Sequence, residues 1–170
     1  MARSVLVAYA SKYGSTQEVA EAIAETLREQ DLSVEVRPAG EVKHLDGHDA
    51  VVLGGAIYLG HLHQDARRFL ARHRQALAEL PVAVFAMGPR TLADEEVAES
   101  RHQLDHDLAK FADLEPVALA IFGGVVDPAK LRFPFSRMPA SDARDWDAIR
   151  AWAEEVASAF APSLASGQLR

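Results

Sequence analysis

Four continuous apolar runs punctuate the chain: Val5–Ala10, Ala50–Leu53, Val82–Ala86 and Val117–Phe122. Their short length and many valines predict strands buried on both faces, as in a parallel sheet. A fifth run, Leu32–Arg37, alternates instead. Leu32, Val34 and Val36 point one way and Ser33, Glu35 and Arg37 the other, the pattern of an edge strand.

Helical spacing fills most of the intervals. Thr16–Gln30 sets Val19, Ile23 and Leu27 on one stripe, and Gln64–Leu80 carries Phe69, Leu70 and Leu77. Asp94–Phe111 carries Val97, Leu104, Leu108 and Phe111, and Asp142–Phe160 aligns Trp146, Ile149, Ala153, Val156 and Phe160. Ala39–Asp49 offers only Val42 and Leu45, so a helix there is short or absent. Strand and helix thus alternate about five times, which predicts an α/β fold with right-handed crossovers and an open parallel sheet covered on both faces. Residues 1–161 read as one domain and Pro162–Arg170 as a frayed tail.

In such sheets ligands settle at the carboxyl ends of the strands, where strand order reverses. For the order 2-1-3-4-5 that point lies between the first and third strands. The loops there are Ser11–Thr16 and Gly54–His63, with Met87–Leu92 alongside. All three carry residues suited to close backbone approach: Gly14; Gly54, Gly55 and Gly60; Gly88 and Pro89. The first is built to hold a phosphate. A helix opening at Ser15 or Thr16 has N–H groups with no internal partner and about half a positive charge at that end. Ser11, Ser15 and Thr16 add hydroxyls, Gly14 permits positive φ, and Ser15 and Glu18 have capping-box spacing.

Composition narrows the chemistry further. A net charge of −7 gives no basic footprint for nucleic acid and suits basic redox partners. The absence of cysteine removes disulfides, thiolate nucleophiles, iron–sulfur clusters and Cys-ligated zinc, and fits a cytoplasmic location. No apolar run approaches the roughly 20 residues of a membrane span, and the N-terminus has no cleavable signal pattern. Nucleophile-elbow, Walker and dinucleotide glycine motifs are absent. His61 and His63 have no nearby ligand cluster, so no metal site is expected; His61 is a candidate proton or substrate contact. His102-Gln103-Leu104-Asp105-His106 has Gln103 where a zinc-protease helix needs Glu. Lys130, Arg132, Phe133, Phe135, Arg137 and Met138 mix cations with apolar groups. That segment is a candidate contact for a quinone, a partner or an anionic membrane surface, and Phe133 and Phe135 for a homodimer interface.

Ser11-Lys12-Tyr13-Gly14-Ser15-Thr16 resembles the phosphate loop of flavodoxins, and Asp49-Ala50-Val51-Val52-Leu53-Gly54-Gly55-Ala56-Ile57-Tyr58-Leu59-Gly60-His61 resembles their third strand and flavin loop. The resemblance spans residues 3–160. Ile57-Tyr58-Leu59-Gly60-His61-Leu62-His63 and Asp145-Trp146 look closest to relatives of the menaquinone-dependent protoporphyrinogen oxidase. It implies a flavodoxin-like three-layer sandwich with a five-stranded parallel sheet of order 2-1-3-4-5, and FMN as cofactor. Residues 11–16 would take the phosphate. Ala56, Ile57, Tyr58, Leu59 and Gly60 would face the flavin ring, with Tyr58 a stacking or edge contact. Met87, Gly88, Pro89 and Arg90 would approach the ring's other side, with Arg90 a candidate contact to flavin or substrate. Shuttle flavodoxins usually place an aromatic in this last loop; here there is none. The stretch Gly123–Ser141 is also shorter than the matching insertion of the oxidase. The functions implied are an FMN oxidoreductase acting on a quinone-like or other planar acceptor, a one-electron shuttle to a redox partner protein, or a flavodoxin-like binding or regulatory module.

Overall fold

A computed structural model describes residues 3–11, 14–126, 128–130, 137 and 140–161. In chain order the elements are β1 (Ser4–Ala10), α1 (Ser15–Glu29), β2 (Ser33–Pro38), a 3-10 turn (Ala39–Glu41), β3 (Ala50–Tyr58), β4 (His61–Leu62), α2 (Gln64–Arg72), α3 (Arg74–Leu77), β5 (Val82–Met87), α4 (Asp94–Leu108), β6 (Ala118–Phe122), β7 (Val125–Val126), a 3-10 turn (Pro128–Lys130), β8 (Ser141–Asp142) and α5 (Trp146–Phe160). Five strands pair in parallel in the order β2-β1-β3-β5-β6, the implied 2-1-3-4-5 arrangement, and β4 folds back antiparallel on β3.

The apolar runs are continuous because the sheet is covered twice. Val5, Val7, Val52 and Phe85 pack with Val19, Ile23 and Leu27 of α1 and Ile149, Val156 and Phe160 of α5. Leu6, Ala8, Leu53 and Val84 face the other way, against Phe69 and Leu70 of α2 and Leu104 of α4. β2 keeps its alternating burial as an edge strand. Among the described residues, no helix is long and apolar enough to cross a membrane.

Several boundaries differ from expectation, each for a physical reason. β3 continues past Leu53 to Tyr58, so Gly54 and Gly55 belong to the strand and not to a ligand loop. A Cβ on Gly54 would lie 1.9 Å from Phe85 Cζ, and one on Gly55 3.0 Å from Leu62 Cδ1. Both glycines therefore make room for core side chains. The helix expected over Gln64–Leu80 breaks at His73, whose Nε2–H donates to the Val42 carbonyl at 3.2 Å. The last helix starts at Trp146 because Ser141–Asp142 is taken up by an antiparallel ribbon with Val125–Val126. Asp145 then caps α5, accepting the Ala148 N–H at 3.1 Å. The Ser15–Glu18 capping box does not form: Gly14 is the N-cap of α1, without a side-chain cap, and Glu18 faces Arg144 at 3.4 Å.

Candidate functional site

One cavity of about 560 Å³ opens at the carboxyl ends of β1, β3 and β5, a size typical of cofactor clefts. Ser11, Ser15 and Glu18 form one end. Ala56, Ile57 and Tyr58 of β3, with His61 and Leu62, form a second wall. Met87, Gly88 and Arg90 form a third, faced by Val125, Val126, Lys130 and Arg144.

At the first end the chain leaves β1 and turns through Gly14 at φ 91°. The Ser11 hydroxyl accepts the Gly14 N–H at 2.8 Å. The first helical bond of α1 runs from Glu18 N–H to the Gly14 carbonyl. The N–H groups of Ser15, Thr16 and Gln17 come before it and point out of the helix start. Thr16 is fully buried, yet its Oγ1 has no hydrogen-bond partner. A buried, unsatisfied hydroxyl beside free helix N–H groups is what an oxyanion ligand would satisfy.

The second wall is a tight hairpin. Tyr58 pairs with His61, and Leu59 (φ 51°) and Gly60 (φ 83°) form the two-residue turn. Positive φ at both positions suits the strand twist but strains leucine. Leu59 is 78% and Tyr58 42% exposed, so the tip faces solvent at the cavity mouth. Asp107 of α4 pins the hairpin from beneath. Its carboxylate has no solvent exposure, accepts the Leu62 N–H at 2.7 Å and lies 3.3 Å from His61 Nδ1. Lys110 Nζ stands 3.8 Å away. Burial pushes the Asp107 carboxyl up, but the Leu62 N–H, His61 and Lys110 together hold it below the usual carboxylate value. His63 also borders the cavity, but its Nδ1 accepts the Asp65 N–H at 3.0 Å and caps α2.

Three backbone bonds stitch the third wall to the strap that faces it. Gly88 N–H donates to Phe122, Gly124 N–H to Pro89, and Ala143 N–H to Gly124. A Cβ on Gly88 would lie 2.8 Å from Ser100 Oγ, so this loop hugs α4. Arg144 closes the strap. Asp142 receives its Nε at 3.0 Å and its Nη2 at 2.8 Å, and the guanidinium lies 4.8 Å from the centre of the Trp146 ring. The Arg144 hydrogen bond holds Asp142 below the usual carboxylate range.

Of the residues singled out from sequence, Ser11, Ser15, Ala56, Ile57, Tyr58, His61, His63, Met87, Gly88, Arg90 and Lys130 line the cavity. Gly14, Thr16, Leu59, Gly60 and Pro89 shape its loops without lining it. Lys12, Tyr13, Arg132, Phe133, Phe135, Met138 and the tail 162–170 lie outside the described residues. Sequence reasoning missed Asp107, Arg67, Gly124 and Arg144. Asp107 left a trace: it falls three residues after Leu104, on the buried stripe of α4. Arg144 has local partners in Asp142 and Trp146, but its contact with Glu18, which sets it at the cavity, comes from a distant segment. Among the described lining residues, Arg67, Arg90, Lys130 and Arg144 face a single carboxylate, Glu18, in a chain of net charge −7. The described lining thus carries more cationic than anionic side chains in an acidic protein, with Arg144 itself paired to Asp142.

The Flavodoxin domain family matches residues 6–138. Protoporphyrinogen IX dehydrogenase (quinone) of Escherichia coli strain K12 is 26% identical over 84 residues. That alignment takes in 48% of this chain and 46% of the relative, so the chain spans about half the length of the curated relatives it matches. Oxidised flavodoxin 2 of Bacillus cereus superposes with a TM-score of 0.62 at 24% identity, over 92% of this chain and 99% of that one. A flavodoxin from the domain Archaea gives 0.60 at 14% identity, over 92% and 98%. These likenesses show the fold. Proteins of this family bind FMN. The residues present fit it: unsatisfied donors at the start of α1 for its phosphate, and an apolar slot between Ile57–Tyr58 and Met87–Gly88 for its ring.

Proposed function

The chain belongs to the flavodoxin domain family, and we propose that it is an FMN-dependent oxidoreductase passing electrons between a donor and a quinone-like or other planar acceptor. The observation that carries this reading is the loop after β5. Met87-Gly88-Pro89-Arg90 brings no aromatic side chain to the cavity, and the exposed Arg90 borders it. A flat acceptor would lie against this aromatic-free wall. The Escherichia coli relative is named for a quinone acceptor, which agrees with this chemistry.

FMN, when bound, supplies the redox step. The chain supplies position and charge. Ser11, Ser15, Thr16 and the α1 N-terminus hold the phosphate; Tyr58 and the hairpin backbone border the ring. Arg90 and Lys130 draw an electron-rich or anionic acceptor into the cleft. A quinone that takes up two electrons also takes up two protons. His61, held by Asp107 through Nδ1 at the cavity, would as imidazolium donate one of them to the acceptor oxygen from Nε2, the other coming from solvent.

Anaerobic reduction followed by rapid mixing with a soluble naphthoquinone tests the reading. The expected result is reduction in a single two-electron step and reoxidation within one turnover to give the quinol. Two resolved one-electron steps, with no quinol formed, would establish a shuttle instead. A folded protein that fails to retain FMN would be a binding or regulatory module.

A further inference from the structure

We propose that Arg144 is the charge partner of the FMN phosphate and the residue that makes this site prefer FMN to riboflavin; the inference rests on the FMN reading above. Helices α1 and α5 pack side by side on one face of the sheet, so both begin at its ligand-bearing end. Arg144 lies just before α5 and shares the cavity with Ser11 and Ser15. Its side chain is only 10% exposed. A guanidinium so deeply buried needs partners on every edge.

One edge and one face have them. Nε and Nη2 are bound to Asp142, and the flat face lies over Trp146. The outer edge is met only by an ion pair: Nη1 is buried without a hydrogen bond. Its nearest acid is Glu18 Oε2 at 3.4 Å, on a side chain 61% exposed. At the same end lie Ser11, Ser15 and the free N–H groups of α1, with the unpartnered Thr16 Oγ1 buried just behind the cavity wall. Donors from two segments far apart in sequence thus border the end of the cavity that would take a phosphate monoester. An arginine fork held on one edge by Asp142 offers the other edge with little further ordering.

Glu18 has the opposite effect. Its carboxylate occupies the free side of Arg144, and a dianionic phosphate would displace it toward water. Acidic residues in a first turn favour the helix but disfavour an anion bound at the same end. Arg144 and Glu18 should therefore shift FMN affinity in opposite directions.

The test is calorimetric titration of flavin-stripped wild type, Arg144→Gln, Arg144→Lys and Glu18→Gln, each with FMN and with riboflavin, after thermal melts confirm folding. Arg144→Gln should weaken FMN about 10- to 100-fold, the loss of a charge-assisted bond, and leave riboflavin within about twofold. Arg144→Lys should recover part of the loss, and Glu18→Gln should tighten FMN about threefold or more. Equal weakening of both flavins by Arg144→Gln would make Arg144 a structural clasp and overturn the proposal, as would no change in either. A wild type that does not prefer FMN would overturn the phosphate reading of the α1 loop itself.

Discussion

Asp107 on α4 and Leu62 on β4 are joined by a 2.7 Å hydrogen bond in which a fully buried carboxylate accepts the hairpin N–H. The bond reaches across 45 residues of sequence and ties the cavity wall to the helix beneath it. A hairpin with two positive-φ residues at its tip would otherwise depend on the two β3–β4 residue pairs, the His63 N–H bond to the Ala56 carbonyl and the Arg67 Nε bond to the Leu62 carbonyl.

Asp107→Ala should cost about 1–3 kcal/mol, because the Leu62 N–H is left buried and unpaired. Asp107→Asn, which keeps one acceptor, should cost less. Urea denaturation measures both as a lower midpoint at unchanged slope. If His61 acts as the proton donor, both variants should also slow quinone turnover while FMN affinity holds.

Gly54→Ala separates packing from ligand contact. The added methyl would meet the Phe85 ring at 1.9 Å, in a strand that cannot move without disturbing β1 and β5. Overpacking of this kind costs about 1–3 kcal/mol or more. The melting temperature should fall, with FMN affinity of the folded protein unchanged; a selective loss of FMN would return Gly54 to the ligand loop.

Thr16→Val removes a hydroxyl that has no partner in the free protein. The flavin-free protein should be as stable as wild type or more so, by up to about 1 kcal/mol. FMN should bind several-fold more weakly. Thr16→Asp, which sets a negative charge beside the phosphate, should abolish binding. Unchanged FMN affinity in both variants would remove Thr16 from the site.

His73 predicts an acid limb in stability. Burial pushes its imidazole below the ordinary value of 6.5, against the hydrogen bond to Val42. The unfolded chain therefore takes up the proton first. Stability from this residue is complete above about pH 6.5 and falls as the pH drops from there through the lowered native value. His73→Gln should flatten that part of the profile in chemical denaturation between pH 7 and pH 5; an unchanged profile would show that His73 does not contribute.

The sheet was legible because strands such as Val5–Ala10 and Val82–Met87 are covered on both faces, and double burial writes itself as an unbroken apolar run. The edge position of Ser33–Pro38 was legible from its alternation. The start of α1 was legible because positive φ, a helix N-terminus and hydroxyls fall within six residues. Gly54 and Gly55 misled, since a glycine pair in a strand and one in a loop look alike until the ring of Phe85 is in place. The break at His73 depends on the carbonyl of Val42, 31 residues earlier. Asp107 shows only as a polar residue on the buried stripe of α4 until Leu62 is in place, and the contact of Arg144 with Glu18 joins segments far apart in sequence.

The most direct test of the account is a titration of the flavin-stripped protein with FMN, followed by flavin fluorescence, with riboflavin as control. Saturation near one equivalent of FMN is expected, with much weaker binding of riboflavin, which lacks the phosphate proposed to sit at the α1 end of the cavity. Equal affinity for the two flavins, or no binding by protein shown to be folded, would contradict it.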